Sequence, residues 1–439
     1  MIQAGEDSLF AVHPRVGLEL TAVTSSAADS KLARRMALNR VFTPSTPVSS
    51  RSAFSGRIDQ ILQITSAVVQ PGRHAILYGE RGVGKTSLAN ILSDLLVQTE
   101  DAYRSYAVRV NCSVGDDFRS IWAKIFFELD IDAKSYFPDY ETPNPDQVRR
   151  VLSRVNPYMV VVVDEYDRVD DDEALSLMAD TIKALSDHAV GSKLVFVGVA
   201  DSIENLIGEH ESVRRCLEEV QVPRMKAAEM RELVTRGFFE AAIQIEKSAV
   251  ERIVRLSEGL PPYGHLLSLK AGERAVNDDR DTVFLRDVIE STEAVVRSHS
   301  GAALYHHAVE SCRPENLYAQ VLAACALAQK DELGYFAAKA VEEPMSRIMG
   351  SPNKTPSFSR HLSSFLGEDR GNVLERRGEK KRYRYRFRDP LMQPFAILAA
   401  IANRLIPEEY QRELFDVEDS MDGWGDVMMQ VTSDDVVEE

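Results

Sequence analysis

The stretch HAILYGERGVGKTSLANILSDLL, residues 74–96, constrains the fold more than any other part of the chain. Residues 75–78 read as a short buried strand. Leu88, Ile91, Leu92, Leu95 and Leu96 recur at helical spacing after it. Between them lies a loop with glycines at 79, 82 and 84, so the order is strand, glycine loop, helix. Gly79, Gly84, Lys85 and Thr86 match the spacing G-x-x-x-x-G-K-[ST]. A second apolar strand, in MVVVVDEYD at residues 159–167, ends in two carboxylates, Asp164 and Glu165. Five apolar residues in a row suit a strand buried on both faces, as in a parallel sheet. Two more strands are readable at 106–111 and 193–199, and helical patterns separate them, which predicts a doubly wound α/β domain.

This arrangement suits a phosphate chain. Phosphates want backbone N–H groups pointed at them and a helix N-terminus beneath. The cradle would be Gly79, Glu80, Arg81, Gly82, Val83, Gly84, Lys85, Thr86 and Ser87. Lys85 would reach the β- and γ-phosphates, with Thr86 and Asp164 on Mg²⁺ and Glu165 orienting and deprotonating the attacking water. ATP and Mg²⁺ are therefore the expected cofactors.

Together these motifs resemble those of the AAA+ ATPases, a P-loop family with an α/β parallel-sheet core and a helical lid. The resemblance implies further roles. Asp201, after the fourth strand, falls at the family's polar sensor position, where Asn is more usual. Arg214 and Arg215 fall near its arginine finger, and the sequence does not choose between them. Gly56 and Arg57 match a short lead-in motif that packs beside the adenine. The lid segment GLPPYGHLL, residues 259–267, lacks the family's second sensor arginine and resembles the Gly-x-Pro lid of signal-transducing P-loop NTPases. A slow ATPase is the expectation.

The strip RRGEKKRYRYRFR, residues 376–388, holds eight Lys or Arg against one Glu, in a chain of net charge -16. The acidity is concentrated elsewhere. Residues 407–439 carry twelve Asp or Glu against Arg412 alone, a net of -11, which leaves -5 for residues 1–406. From Arg382 the strip alternates, with Tyr383, Tyr385 and Phe387 on one face and Arg382, Arg384, Arg386 and Arg388 on the other. Helices are expected at 318–329, 335–348 and 355–366, the last capped by Thr355 with Pro356 in its first turn and Arg360 outward. Three helices and a hairpin make a C-terminal winged helix, its arginines meeting duplex DNA. A solvated strand face, or a surface that pairs with the acidic tail, is the alternative use of the strip.

The domains are thus a 1–53 arm with one short helix, a 54–224 AAA+ core, a 225–300 helical lid, a 315–406 winged helix and a 407–439 acidic tail. Core, lid and winged helix in that order resemble the origin-recognition and initiator-type ATPases. The resemblance implies an ATP-dependent DNA-binding switch that forms a homo-oligomer and recruits a second protein, the acidic tail being one means of holding it. A slow signal-transducing NTPase that gates an effector is the alternative. No apolar run is long enough for a membrane span, the four cysteines form no C-x-x-C pair, and a cytoplasmic, reduced protein without zinc is expected.

Overall fold

The structure, a computed structural model, describes residues 22–48, 56–97, 106–132, 143–154, 159–200, 211–311, 316–379 and 382–415. Asp201, Cys312, Lys380, Lys381 and the acidic segment beyond Phe415 lie outside the described residues.

Five strands form one parallel sheet: β1 (His74–Gly79), β2 (Tyr106–Asn111), β3 (Met159–Asp164), β4 (Lys193–Val199) and β5 (Leu217–Gln221), in the order β2-β3-β4-β1-β5. Alternate residues of each strand enter different cores, because side chains point to opposite faces with period two. Ala75, Leu77, Val160, Val162, Val195 and Val197 join one apolar cluster. Ile76, Val161, Val163, Leu194 and Phe196 join a second, with Phe118, Trp122 and Ile182 from covering helices. Burial on both faces is why these strands read as apolar runs rather than alternating ones. The register pairs Asn111 with Asp164 and Gly79 with Val199, so the loop after β1 and the carboxylates after β3 emerge at one sheet edge.

Four helices follow the sheet: Ala227–Glu240, Lys247–Leu256, Pro261–Asn277 and Leu285–Ser298. The N-terminal helix is not short. It runs for twenty residues, Ala22–Val41, and packs on this helical unit. Leu38 and Phe42 are its buried anchors, set against Gly272 and Gly237, where a Cβ would lie 2.7 and 2.5 Å from them.

The C-terminal unit contains Tyr318–Leu327, Glu342–Met349 and Thr355–Ser364 as helices. The segment expected to be helical from 335 begins instead as a two-residue strand, Phe336–Ala337, before a 3-10 turn and the helix. That strand joins the hairpin Leu374–Arg377 and Arg384–Phe387 in an antiparallel three-stranded sheet, its Phe336 ring 6.1 Å from Tyr385 and 6.5 Å from Phe387. Ring packing across strands offsets the weak local signal of so short a strand. Thr355 is not the helix cap. Its amide and hydroxyl both donate to Glu342 Oε1, at 2.9 and 2.8 Å, so it ties two helices together while Lys354 takes the cap position. Pro356 does stand in the first turn.

A further helix, Met392–Ala402, is buried along its whole length from Met392 to Ile401. It packs against both Leu285–Ser298 and Tyr318–Leu327. A helix buried on all sides is a core element rather than a surface one, and it joins the four-helix unit and the C-terminal unit in one apolar cluster.

Candidate nucleotide site

A cavity of about 850 Å³ opens at the sheet edge. Its walls come from the glycine loop and the helix after it (Gly82, Gly84, Lys85, Thr86), from the end of β3 (Asp164, Glu165) and from the helix Pro261–Asn277 (Pro261, Pro262, His265). Residues 43–48 of the arm form another side. They are fixed there by two bonds to the helix Lys85–Val97: the Val48 amide donates to Ser87 Oγ at 3.0 Å, and Asn90 Nδ2 donates to the Val48 carbonyl at 3.3 Å.

The loop turns sharply because residue 79 carries no side chain: its φ is 151°, and a Cβ there would stand 2.3 Å from the Val222 carbonyl oxygen. Lys85 curls back over the loop and donates from Nζ to the carbonyls of Gly79 and Glu80, at 3.0 and 2.8 Å. Burial lowers its pKa to about 8, with Asp167, Asp164 and Glu80 pulling the other way.

Both carboxylates after β3 are held by arginines of the same chain. Asp164 is buried; its Oδ1 accepts from the Glu165 amide at 2.8 Å, and its Oδ2 lies 3.0 Å from Arg109 Nη2. Glu165 is exposed and takes a left-handed φ of 55°, uncommon for a residue with a side chain. Its Oε2 pairs with Arg168 Nη1 at 2.9 Å. Asp167 completes this edge by accepting from the Val199 amide at 2.7 Å.

The sequence-predicted residues do not all converge. Gly82, Gly84, Lys85, Thr86, Ser87, Asp164 and Glu165 line the cavity, as does Arg81. Gly56 and Arg57 are not part of the cavity wall. A buried guanidinium needs partners, and Arg57 Nη2 donates to the Val83 and Pro223 carbonyls at 3.1 and 2.5 Å while its amide donates to Glu229 Oε1 at 2.9 Å. Arg57 therefore braces the loop from its rear. Arg214 and Arg215 are exposed and outside the cavity wall, engaged by Glu219 at 3.3 Å and Asp187 at 2.9 Å. In the basic strip, Arg382, Arg384 and Arg388 are exposed as expected, and the outward row is interrupted at Arg386. Arg386 is half-buried, 2.6 Å from Glu375 and over the Tyr335 ring at 4.5 Å, and Arg384 pairs with Asp331 at 3.1 Å.

The sequence reading missed four contributors: Arg109, Arg168, the 43–48 segment and Leu391. The only local signal was the lone charge of Arg109 in an otherwise apolar strand. Leu391 comes from the C-terminal unit and covers the loop so closely that a Cβ on Gly82 would lie 2.9 Å from its Cδ2. Its carbonyl accepts from the Tyr263 hydroxyl at 2.8 Å. Beside it, Arg81 and Asp389 approach to 3.6 Å.

Residues 69–207, which hold the glycine loop and the β3 carboxylates, match the family model described as AAA domain. The chain resembles the AAA+ P-loop ATPases. No curated protein matches the sequence. Among solved structures it is similar to Cdc6p from Pyrobaculum aerophilum, with 18% identity over 85% of this chain and 98% of that one and a TM-score of 0.46. It is also similar to the Aeropyrum pernix ORC1 protein in complex with DNA, with 14% identity over 85% and 98% and a TM-score of 0.47. The Thermotoga maritima RuvB Holliday junction branch migration motor gives 14% identity over 78% and 95% and a TM-score of 0.42. Among the described residues, no helix is long and apolar enough to cross a membrane.

The AAA+ resemblance implies Mg²⁺, and the residues present fit it. Asp164 Oδ2 is buried with no aligned hydrogen-bond donor, and Thr86 places a hydroxyl in the same cavity, an all-oxygen pair suited to a hard cation that draws its other ligands from phosphate and water.

Proposed function

We propose that the chain is an ATP-dependent molecular switch whose C-terminal unit, a winged helix, binds duplex DNA, and which oligomerises and recruits a partner protein. The observation that carries the switch reading is the contact between that unit and the nucleotide loop. Besides Leu391 on Gly82, a buried polar chain joins them. Glu80 of the loop pairs with Arg224 at 2.7 Å, Arg224 Nη1 donates to Gln393 Oε1 at 2.8 Å, and Gln393 Nε2 donates to Glu258 Oε2 at 2.7 Å. Phosphates arriving at the loop would disturb these partners first, so nucleotide state and the seating of the C-terminal unit are coupled.

Within the site, Lys85 and the loop amides would hold the phosphate chain, and Glu165, freed from Arg168, would take the proton of the attacking water. Mg²⁺, when bound at Thr86 and Asp164, supplies charge neutralisation on the phosphate oxygens. Glu165→Gln is expected to lower single-turnover hydrolysis by about a hundredfold, the lower range for losing a general base, while leaving ATP binding unchanged. Equal rates would remove Glu165 from the chemistry.

DNA binding is supported by the helix Thr355–Ser364, which exposes Ser359, Arg360 and Ser363, and by Arg382 and Arg388 on the adjoining hairpin. The test is duplex affinity against salt, with and without ATP, for the wild type and for Arg360→Ala/Arg382→Ala/Arg388→Ala. Three lost phosphate contacts should make the log–log salt slope shallower by about 3. An unchanged slope without nucleotide dependence would favour the second reading, a slow signal-transducing NTPase. That reading draws on Pro261 and Pro262 in the cavity wall and on the two arginine-held carboxylates, which suit a site that turns over rarely.

A further inference from the structure

We infer that Arg109 is a built-in counter-ion of the nucleotide site, occupying Asp164 in the resting protein and setting how strongly a divalent cation contributes to nucleotide binding. The inference rests on the nucleotide reading above and gives Arg109 a role toward the cation that the reading does not assign.

Arg109 stands in the middle of β2, an edge strand of the sheet, among Tyr106, Ala107, Val108 and Val110. An arginine in such a strand must be provided with partners, and both of its terminal nitrogens have them. Nη1 donates to Asn90 Oδ1 at 2.8 Å, and Nη2 lies 3.0 Å from Asp164 Oδ2. Asn90 in turn donates to the Val48 carbonyl, so the arm segment over the cavity, the helix after the loop and the β3 carboxylate are strung on one guanidinium. The Asp164 side chain is only 4% exposed, and its other oxygen is already taken by the Glu165 amide. Oδ2 is the atom left for a cation, and Arg109 is the cation beside it.

A divalent ion entering at Oδ2 either displaces the guanidinium or shares the carboxylate with it. In a partly buried site, where water screens poorly, both routes are costly for like charges a few ångströms apart. Nucleotide without metal has no such conflict, and the Arg109 charge even favours phosphate. Arg109 acts through Asp164 and is a positioning residue.

The experiment titrates the full chain with a fluorescent ATP analogue carrying a non-hydrolysable β,γ-imido bridge, once in Mg²⁺ and once in EDTA. The ratio of the two affinities is the metal's contribution. In Arg109→Gln, which keeps polar reach and loses charge, that ratio is expected to rise by about tenfold over the wild type, a modest share of the like-charge cost at this separation. Arg109→Lys, keeping the charge, is expected to stay near the wild-type ratio. Equal ratios in wild type and Arg109→Gln would overturn the inference and leave the nucleotide reading standing. So would loss of binding by Arg109→Gln in EDTA, which would make Arg109 a structural brace. Absence of analogue binding by the wild type in both buffers would sink the nucleotide reading and this inference with it.

Discussion

Lys85→Met is expected to weaken ATP binding by about a thousandfold and yet to leave the empty protein as stable as the wild type or more so at pH 7. Lys85 would give the β- and γ-phosphates two charge-assisted bonds, and at about 2 kcal/mol each their loss accounts for the affinity. The stability effect has the opposite sign because the empty site holds the ammonium at a cost. Its pKa is lowered from 10.5 to about 8 by burial. Below pH 8 the lysine is charged in both folded and unfolded chains, and the full penalty applies, about 3 kcal/mol for a shift of this size. Between pH 8 and 10.5 the folded protein releases the proton first and the penalty fades; above 10.5 it is gone. Against this stand two bonds to loop carbonyls, each worth about 1 kcal/mol net. Thermal melting of wild type and variant at pH 7 and pH 10 measures the difference: the variant's advantage should be present at pH 7 and lost or reversed at pH 10, where the carbonyl bonds outweigh what is left of the penalty. Wild-type nucleotide affinity should also fall as pH rises through about 8, since phosphate binding then requires proton uptake. A variant that melts well below the wild type at pH 7 would show that the carbonyl bonds outweigh burial.

Arg224→Ala is expected to destabilise the protein by about 3 kcal/mol, because it strands charge rather than removing it. The Arg224 and Glu80 side chains are 21% and 8% exposed, and removing one member of a buried pair leaves the other unpaired. Glu258 is affected too: burial raises its pKa, while Lys330 and Arg224 lower it. Glu80→Gln in the Arg224→Ala background should recover a good part of the loss, a double-mutant coupling that a merely exposed pair would not show. The midpoint of urea unfolding for the two single variants and the double variant provides the cycle. Additive effects would mean that the pair contributes no coupling. The same variant should also loosen the C-terminal unit from the loop, seen as faster limited proteolysis after residue 300 in the nucleotide-free protein.

Local chemistry accounts for what the sequence made legible. The glycine loop, Lys85, Thr86 and the Asp164–Glu165 pair announce themselves because their spacing is set within one strand-loop-helix or one strand end. The two-faced burial of β1, β3 and β4 is equally visible in their apolar runs. What stayed hidden depends on partners far apart in the chain. Nothing local to Arg57 shows that its guanidinium reaches the carbonyls of Val83 and Pro223. Arg386 looks like part of an outward row until Glu375 folds in beside it. A strand of two residues, Phe336–Ala337, is too short to carry a periodicity and exists because its neighbours in the sheet complete it. Similarly, nothing within residues 43–48 signals that they wall the cavity; two bonds to the helix Lys85–Val97 put them there.

The buried helix Met392–Ala402 decides where this molecule is able to bend. Its ten consecutive buried residues are shared between the lid helix Leu285–Ser298 and the C-terminal helix Tyr318–Leu327. Pulling those neighbours apart would expose the whole apolar cylinder to water, at the scale of ~25 cal/mol for each Å² uncovered. The helical unit that follows the sheet and the C-terminal unit are therefore expected to travel as one body. Any motion of that body away from the sheet would part Leu391 from Gly82. A ligand that lifted the C-terminal unit would swing Pro261, Pro262 and His265 with it, opening the nucleotide cavity in the same stroke.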